Sequence, residues 1–316
     1  MQQLSVYLNF MEMIMPIKIK CDDNEKIDLS DFIECLSKKK LDASNENSLI
    51  SIAPDLKKLS NNKLFLAEFI AEGLKNYKHY QEENTYSSQV IMLHPPTPGT
   101  NYFVRANIWP SKDDYLTQIN GEDAFFYHKP HDHNFNFLTI GYLGSGYWSD
   151  YYEYEYSDVI GYPGENVELK FTERTNLSEG KIMLYRAHKD VHNQLPADEY
   201  SISINVMENS LINPLLDQYS FDIEKGTIKS IINNNGTKSL FDISVLMGDE
   251  NSIDIIEHIA KNHIVDRVRL NAIHAIGKSF NSINELLSYY KKNLNTPSKF
   301  IQKNIAIKIK ELEKLL

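Results

Sequence analysis

The sequence predicts an α+β protein: an antiparallel β-barrel over residues 88–210, flanked by a helical region at 1–87 and a second at 211–316. Three observations carry this. Apolar residues recur at helical spacing in 28–39 and, more strongly, in 62–80, where Leu64, Phe65, Phe69, Ile70 and Leu74 form one stripe. From residue 89 to 207 the chain reads instead as short runs rich in β-branched and aromatic residues, divided by Gly, Pro, Asn and Asp. Such closely spaced runs suit an all-β sandwich or barrel. Past residue 210 helical spacing returns, in 252–263 and 266–279.

Taken in order, the first helix has Ser30 or Asp31 as its expected N-cap. The strand runs are QVIML, YFVRANIW, FNFLTIGYL, YWSDYYEYEY, VELKFTE, KIMLYRA and YSISINVM. Alternation places Glu153 and Glu155 on one face of their strand and the neighbouring tyrosines on the other. The GYLGSG stretch (141–146) reads as a hairpin between two strands, not as a strand-to-helix phosphate loop. Most of the 19 tyrosines fit strand packing.

Bulk properties narrow the function classes. The 316 residues, 42% of them hydrophobic and 24% charged, are enough for two or three domains with a sizeable core. A formal net charge of -10 argues against a broad phosphate-binding surface, so no nucleic-acid partner is expected. No run of 18 apolar residues is present, and no membrane partner is expected. The apolar N-terminal run 1–20 lacks a basic leader and a small-residue cleavage site, and reads as a first structural element. Cys21 and Cys35 fit neither a disulfide framework nor a paired metal site, which suits a reducing cytoplasm. The dinucleotide, P-loop, HExxH and GxSxG motifs are absent.

The chemistry is concentrated in the histidines. Five of ten lie between 128 and 192, in two clusters: His128, His131 and His133 in HKPHDH, and His188 and His192 in HKDVH. Residues i and i+2 of a strand share a side, so His131 and His133 can aim at one point while Asp132 faces away. The second cluster supplies a third imidazole. Three neutral imidazoles on one side of a metal leave positions open for substrate, water or O2, and each ring's other nitrogen needs an orienting acceptor. Gln194 and Asn205 are candidates for that role.

These clusters resemble the two motifs of the cupin superfamily over about 120 residues. The first is His131-Asp132-His133 followed by NFNFLTIGYLGSGYW, with Gly144 or Gly146 in the turn. The second is Gly180, KIMLYRAHKDV, His192, NQLP and the strand YSISINV. The resemblance implies a double-stranded β-helix barrel binding one divalent metal. This sequence departs from the pattern twice. The usual glutamate would fall at Phe137 or Leu138, and the usual Pro-x-Gly turn is replaced by Arg186, Ala187 and His188. The first departure resembles the three-histidine, cysteine dioxygenase-like cupins, which implies Fe(II), with Zn, Ni, Mn or Cu as alternatives, and O2 as co-substrate. The second leaves His188 or His192 as third ligand. His192 is preferred for the pattern after it, with His188 as an acid/base. Glu153 and Glu155 stay open as carboxylate ligands. His188-Lys189-Asp190 also spells the first part of a 2-oxoglutarate oxygenase triad, but His258, His263 and His274 all fall in the helical tail.

Arg105, Asn107 and Trp109 share one face of their strand; turned inward, Arg105 could hold a substrate carboxylate. Arg186 has the same option. Tyr147, Trp148, Tyr151 and Tyr185 have both a pocket-lining and a packing reading, and Tyr185 joins His188 and Arg105 as a candidate catalytic residue. The pair 252–263 and 266–279 resembles a HEAT-type unit. The expectation is therefore a metal-dependent oxygenase acting on a small molecule or a peptide, with a homodimer as one assembly option. A non-catalytic cupin binding module and a metal-dependent isomerase or hydrolase are the alternatives.

Overall fold

The computed structural model describes residues 16–82, 84–87, 89–233 and 236–316. The N-terminal run 1–15 lies outside the described residues. The chain divides into two compact units, one of residues 1–154 and 169–210, the other of 155–168 and 211–316.

The first unit is built on a sheet buried on both faces. Strands β1 (Ile17–Ile19), β2 (Val90–His94), β3 (Tyr102–Trp109), β4 (Phe137–Leu143), β7 (Ile182–Tyr185) and β9 (Ser201–Glu208) form a six-stranded sheet in the order β1-β7-β4-β9-β3-β2. The pairings are antiparallel. Strands β5 (Trp148–Glu153), β6 (Lys170–Asn176) and β8 (Asp190–Leu195) form a second sheet, ordered β6-β5-β8. Among the described residues these sheets do not close into a barrel by hydrogen bonding.

Strand alternation sorts the large sheet's side chains into two cores. Outward go Leu93, Val104, Leu138, Ile140, Leu184, Ile204 and Val206, which join Phe32, Leu36, Leu49, Ile52, Leu56 and Leu59. These last come from helices α1 (Leu29–Lys38), α2 (Glu46–Ser51) and α3 (Ala53–Asn61), with α4 (Phe65–Leu74) beside them. Inward go Met92, Phe103, Trp109, Phe137, Met183, Tyr185 and Met207, which meet Tyr147 and Tyr151 of the smaller sheet's side. A sheet covered twice reads as nearly continuous apolar runs, as FLTIGYL does. The exposed edge of β2 is covered by amide side chains. Gln81 both accepts from the Met92 N–H and donates to its carbonyl, and Asn84 donates to the Val90 carbonyl.

Three local expectations are corrected. The first helix begins at Leu29, so Ser30 and Asp31 lie in its first turn; Asp28 occupies the cap without a side-chain hydrogen bond. The 62–80 helix spans only Phe65–Leu74, since Gly73 weakens it near its end. GYLGSG is a crossover: β4 and β5 lie in different sheets. Gly146, at φ 74°, would press a Cβ to 1.9 Å from the Leu177 carbonyl oxygen. The short helices α2, α3 and α5 (Tyr115–Asn120) were not foreseen.

The second unit holds the hairpin β10 (Tyr219–Asp222) and β11 (Thr227–Ile231) and helices α6 (Thr237–Met247), α7 (Glu250–Asn262), α8 (Asp266–Gly277), α9 (Ile283–Asn293) and α10 (Lys299–Glu313). Helices α7 and α8 cover the expected helical segments. Their core includes Ile256, Leu270, Ile273, Ile276, Ile301 and Ile305. No helix among the described residues is long and apolar enough to cross a membrane.

Two outcomes follow from this packing. Leu138→Ala, at a site with no exposed surface, should cost about 2–5 kcal/mol by chemical denaturation. In the second unit, burial, reinforced by Lys308, Lys238 and Arg267, pushes His274 down to about 4. Its ring Nδ1 lies 3.1 Å from the Tyr290 hydroxyl. The unfolded imidazole takes up its proton near pH ~6.5, so stability is lost as pH falls from there toward 4. Thermal melts at pH 7 and 5 should show a smaller acid loss in His274→Gln than in the parent.

Candidate metal centre

The two histidine clusters, some 60 residues apart in sequence, meet through the backbone. His131 and His133 lie in an extended segment before β4, not in a regular strand, and its bridge pairs His131 with His192 of β8. The His131 N–H donates to the His192 carbonyl at 3.1 Å, and the His192 N–H to the His131 carbonyl at 3.0 Å. The i, i+2 relation survives without a full strand.

The rings converge. His192 Nε2 stands 3.1 Å from His131 Nε2 and 3.1 Å from His133 Nε2, and one ligand atom from each residue lies within 4.8 Å of the others. Phe135 and Phe137 flank the His133 ring at 4.8 and 4.9 Å, Phe126 meets His131 edge-on at 5.0 Å, and Tyr185 meets His192 at 5.1 Å. Burial pushes His131 down to about 4. Burial first, then the neighbouring imidazoles, holds His133 and His192 well below the ordinary histidine range; Arg105 adds to this at His133. All three are neutral at pH 7.

The proton count tests whether a cation fits. His131 Nδ1 lies 2.6 Å from the Lys129 carbonyl, which can only accept, so the ring proton sits there and His131 Nε2 presents a lone pair. A proton on His192 Nε2 can serve one of its two neighbours, not both. Its Nδ1 is buried with no hydrogen-bond partner. One cation among the three Nε2 atoms would take up their lone pairs, and the 3.1 Å spacing of His192 from each of the other two is compatible with metal–nitrogen bonds of about 2.1 Å. The donor set therefore fits a divalent ion.

The nearby carboxylates are committed elsewhere. Asp132 is fully buried, faces away and accepts from the Tyr154 hydroxyl at 2.6 Å. Glu153 and Asp190 both hold Arg186, whose Nη2 lies 2.8 and 2.7 Å from them. Glu155 caps the turn at Ser157. Among the described residues, the metal-competent group is the three histidines alone. Arg186 is 5% exposed and its Nε and Nη2 are occupied by Asp190 and Glu153, so it serves as a clamp on the β7–β8 turn.

The other expected residues lie close by in sequence or sheet register. His188 sits at φ 57° in the β7–β8 turn, with its N–H donating to the His133 carbonyl at 2.7 Å. The Tyr185 hydroxyl lies 2.7 Å from that of Tyr151 and 3.2 Å from that of Tyr147, and burial raises all three phenols. Arg105 turns inward on β3; its Nε is buried with no hydrogen-bond partner, and its guanidinium stacks over Tyr86 at 4.7 Å. Gln194 and Asn205 are turned to other partners: Gln194 to Tyr147, and Asn205 to Thr139 and Asn107. Trp148 donates to Asp198 and so leaves the inner group. Sequence reasoning missed Phe126, Phe135 and the Lys129 carbonyl. The last is a backbone atom and leaves no residue signature.

No family model and no curated protein sequence matches the chain. Among solved structures, a hydroquinone 1,2-dioxygenase in complex with Cd2+ and 4-hydroxybenzonitrile aligns at 11% identity and TM-score 0.23, over 41% of this chain and 69% of that one. A salicylate 1,2-dioxygenase from Pseudaminobacter salicylatoxidans aligns at 10% and 0.25, over 45% and 33%. A vicilin from Solanum melongena aligns at 10% and 0.20, over 51% and 41%. Similarity at this level establishes no common fold.

The clamp gives a prediction. Asp190→Asn removes the charge facing buried Arg186 two residues before His192, and loss of one partner of a buried pair costs about 3–5 kcal/mol. Denaturant titration should show that loss, and metal titration should show weaker uptake than in the parent.

Proposed function

We propose that this protein is a cupin-type, metal-dependent oxygenase, with Fe(II) held by His131, His133 and His192 and with O2 and a small molecule or peptide side chain as substrates. The observation that carries the reading is the convergence of three buried, neutral imidazoles without a carboxylate. When bound, the iron supplies the redox chemistry with O2 and leaves coordination positions for the substrate. The chain's residues do the rest. Lys129 fixes the His131 tautomer through its carbonyl. Phe135 and Phe137 pack on the His133 ring and Phe126 on the edge of His131, giving the imidazoles an apolar surround. Arg105 offers a buried positive group for a substrate carboxylate. Tyr185, a phenol with its proton held on by burial, is a hydrogen-bond donor rather than a base. His188, tethered to His133 through its backbone, is assigned the proton transfer. The absence of a carboxylate and the feature set as a whole fit a three-histidine site better than a 2-oxoglutarate triad. On this reading the protein works in the cytoplasm, and α7 with α8 forms a HEAT-like unit.

Elemental analysis of protein purified without a histidine tag should find about one iron per chain, and none in His131→Ala/His133→Ala. Oxygen uptake should depend on that iron. Stoichiometric zinc or nickel instead would redirect the reading to an isomerase or hydrolase using the ion as a Lewis acid. A folded protein that takes up no metal, even from anaerobic Fe(II), would sink it and leave a binding module.

A further inference from the structure

The second unit carries a surface with a different chemistry. A groove of 390 Å³ is lined by Ile160, Leu294, Lys299, Gln302, Lys303 and Ala306, at the small end of ligand-binding cavities. The four α10 residues lie on the face of that helix beside its buried stripe Ile301, Ile305 and Ile309. Ile160 forms the facing wall, and this wall is rigid. Buried Glu165 accepts from the Ile160 N–H at 2.8 Å and the Gly161 N–H at 2.6 Å, while the Gly161 carbonyl accepts from Arg267 at 3.2 Å. Arg267 is itself fixed by Asp217 at 2.7 Å and by stacking over Phe300 at 4.2 Å.

Charge identifies what the groove accepts. The chain carries -10 overall, yet residues 283–316 hold seven lysines against three glutamates. Lys299 and Lys303 stand four apart on one exposed helix face, a like-charge spacing that weakens a helix. Among the described residues no carboxylate lies within 4.0 Å of either; of the seven lysines only Lys291 and Lys308 are matched, by Glu313 and Glu311. The floor between the two lysines is apolar. An apolar floor calls for an aliphatic or aromatic side chain, and the flanking cations call for carboxylates on either side of it.

We propose that this groove docks a short acidic peptide segment. A leucine-sized side chain enters against Ile160, Leu294 and Ala306, and neighbouring carboxylates pair with Lys299 and Lys303. The pre-formed wall lowers the ordering cost of binding. The inference is independent of the histidine centre.

The test uses the full chain and fluorescence polarisation with a fluorescein-labelled peptide of about fifteen residues, glutamate-rich with two leucines four apart. Saturable binding is expected, falling at least tenfold for Lys299→Glu/Lys303→Glu and lost for Ala306→Trp, which fills the groove and keeps the lysines. A probe with alanine for leucine should bind at least tenfold more weakly, and one with lysine for glutamate not at all. The proposal is overturned if the charge-reversed variant binds the probe unchanged or if the leucine-free probe binds equally well. It is also overturned if phosphatidylserine vesicles or single-stranded RNA bind more tightly through the same lysines. Circular dichroism and metal content, both expected unchanged, separate failure here from failure of the oxygenase reading. Should Ala306→Trp misfold, the surface lysine variant and the paired probes decide.

Discussion

Burial of the six-stranded sheet on both faces governs the first unit. Four helices cover one face and an aromatic interior covers the other, so both parities of every central strand must be largely apolar or internally satisfied. That leaves little room for titratable groups. Where polar side chains do face inward, they answer one another. Thr139 donates to Asn205, Asn205 to Asn107, and Trp109 to Ser203. Unpaired polar atoms in such a place cost far more than the net gain of a hydrogen bond, which is why these inner residues form a chain of partners. The histidine group lies among aromatic members of this same interior and inherits its dryness.

Dryness then sets the electrostatics. Desolvation is the leading cause of the depressed basicity of all three imidazoles. It supplies the neutral lone pairs that a metal needs, with smaller contributions from the Lys129 charge at His131 and the Arg105 charge at His133. The same environment keeps the phenols of Tyr147, Tyr151 and Tyr185 protonated. One physical term therefore prepares both the donors and the surroundings, and the sheet that produces it is a packing device first.

Much of this was legible in the sequence where a residue's own side chain carries the signal. The three histidines were visible because i, i+2 spacing survives in any extended segment, and α7 and α8 because their apolar spacing is regular. The crossover at Gly146 was not visible, because GYLGSG contains the residues of a turn whether the next strand pairs with the last or leaves for another sheet. The two readings of Arg186 stayed open in the sequence for a related reason. Its partners Glu153 and Asp190 lie 33 and 4 residues away, and only tertiary contact shows that a guanidinium is already neutralised. Glu153 and Glu155 alternate as a strand should, but β5 stops at Glu153, so Glu155 never shares its face. The hairpin β10–β11 and the short α2 and α3 fall below the length at which periodicity distinguishes elements.

The distribution of acids constrains what can enter the site. Arg186 holds both Glu153 and Asp190, Tyr154 holds Asp132, and Glu155 caps a turn. Each nearby carboxylate is thus taken out of competition with the imidazoles. On the oxygenase reading, a divalent ion held by three neutral ligands would keep its full double charge in a dry pocket, and Arg105 adds a further positive group with no carboxylate within 4.0 Å among the described residues. Isolated charge of one sign is costly to bury. On the oxygenase reading the missing negative charge must therefore arrive with the substrate. On that reading a three-histidine centre without a carboxylate would select its substrate as well as hold a metal, since it would be electrostatically incomplete until an anionic group closes it.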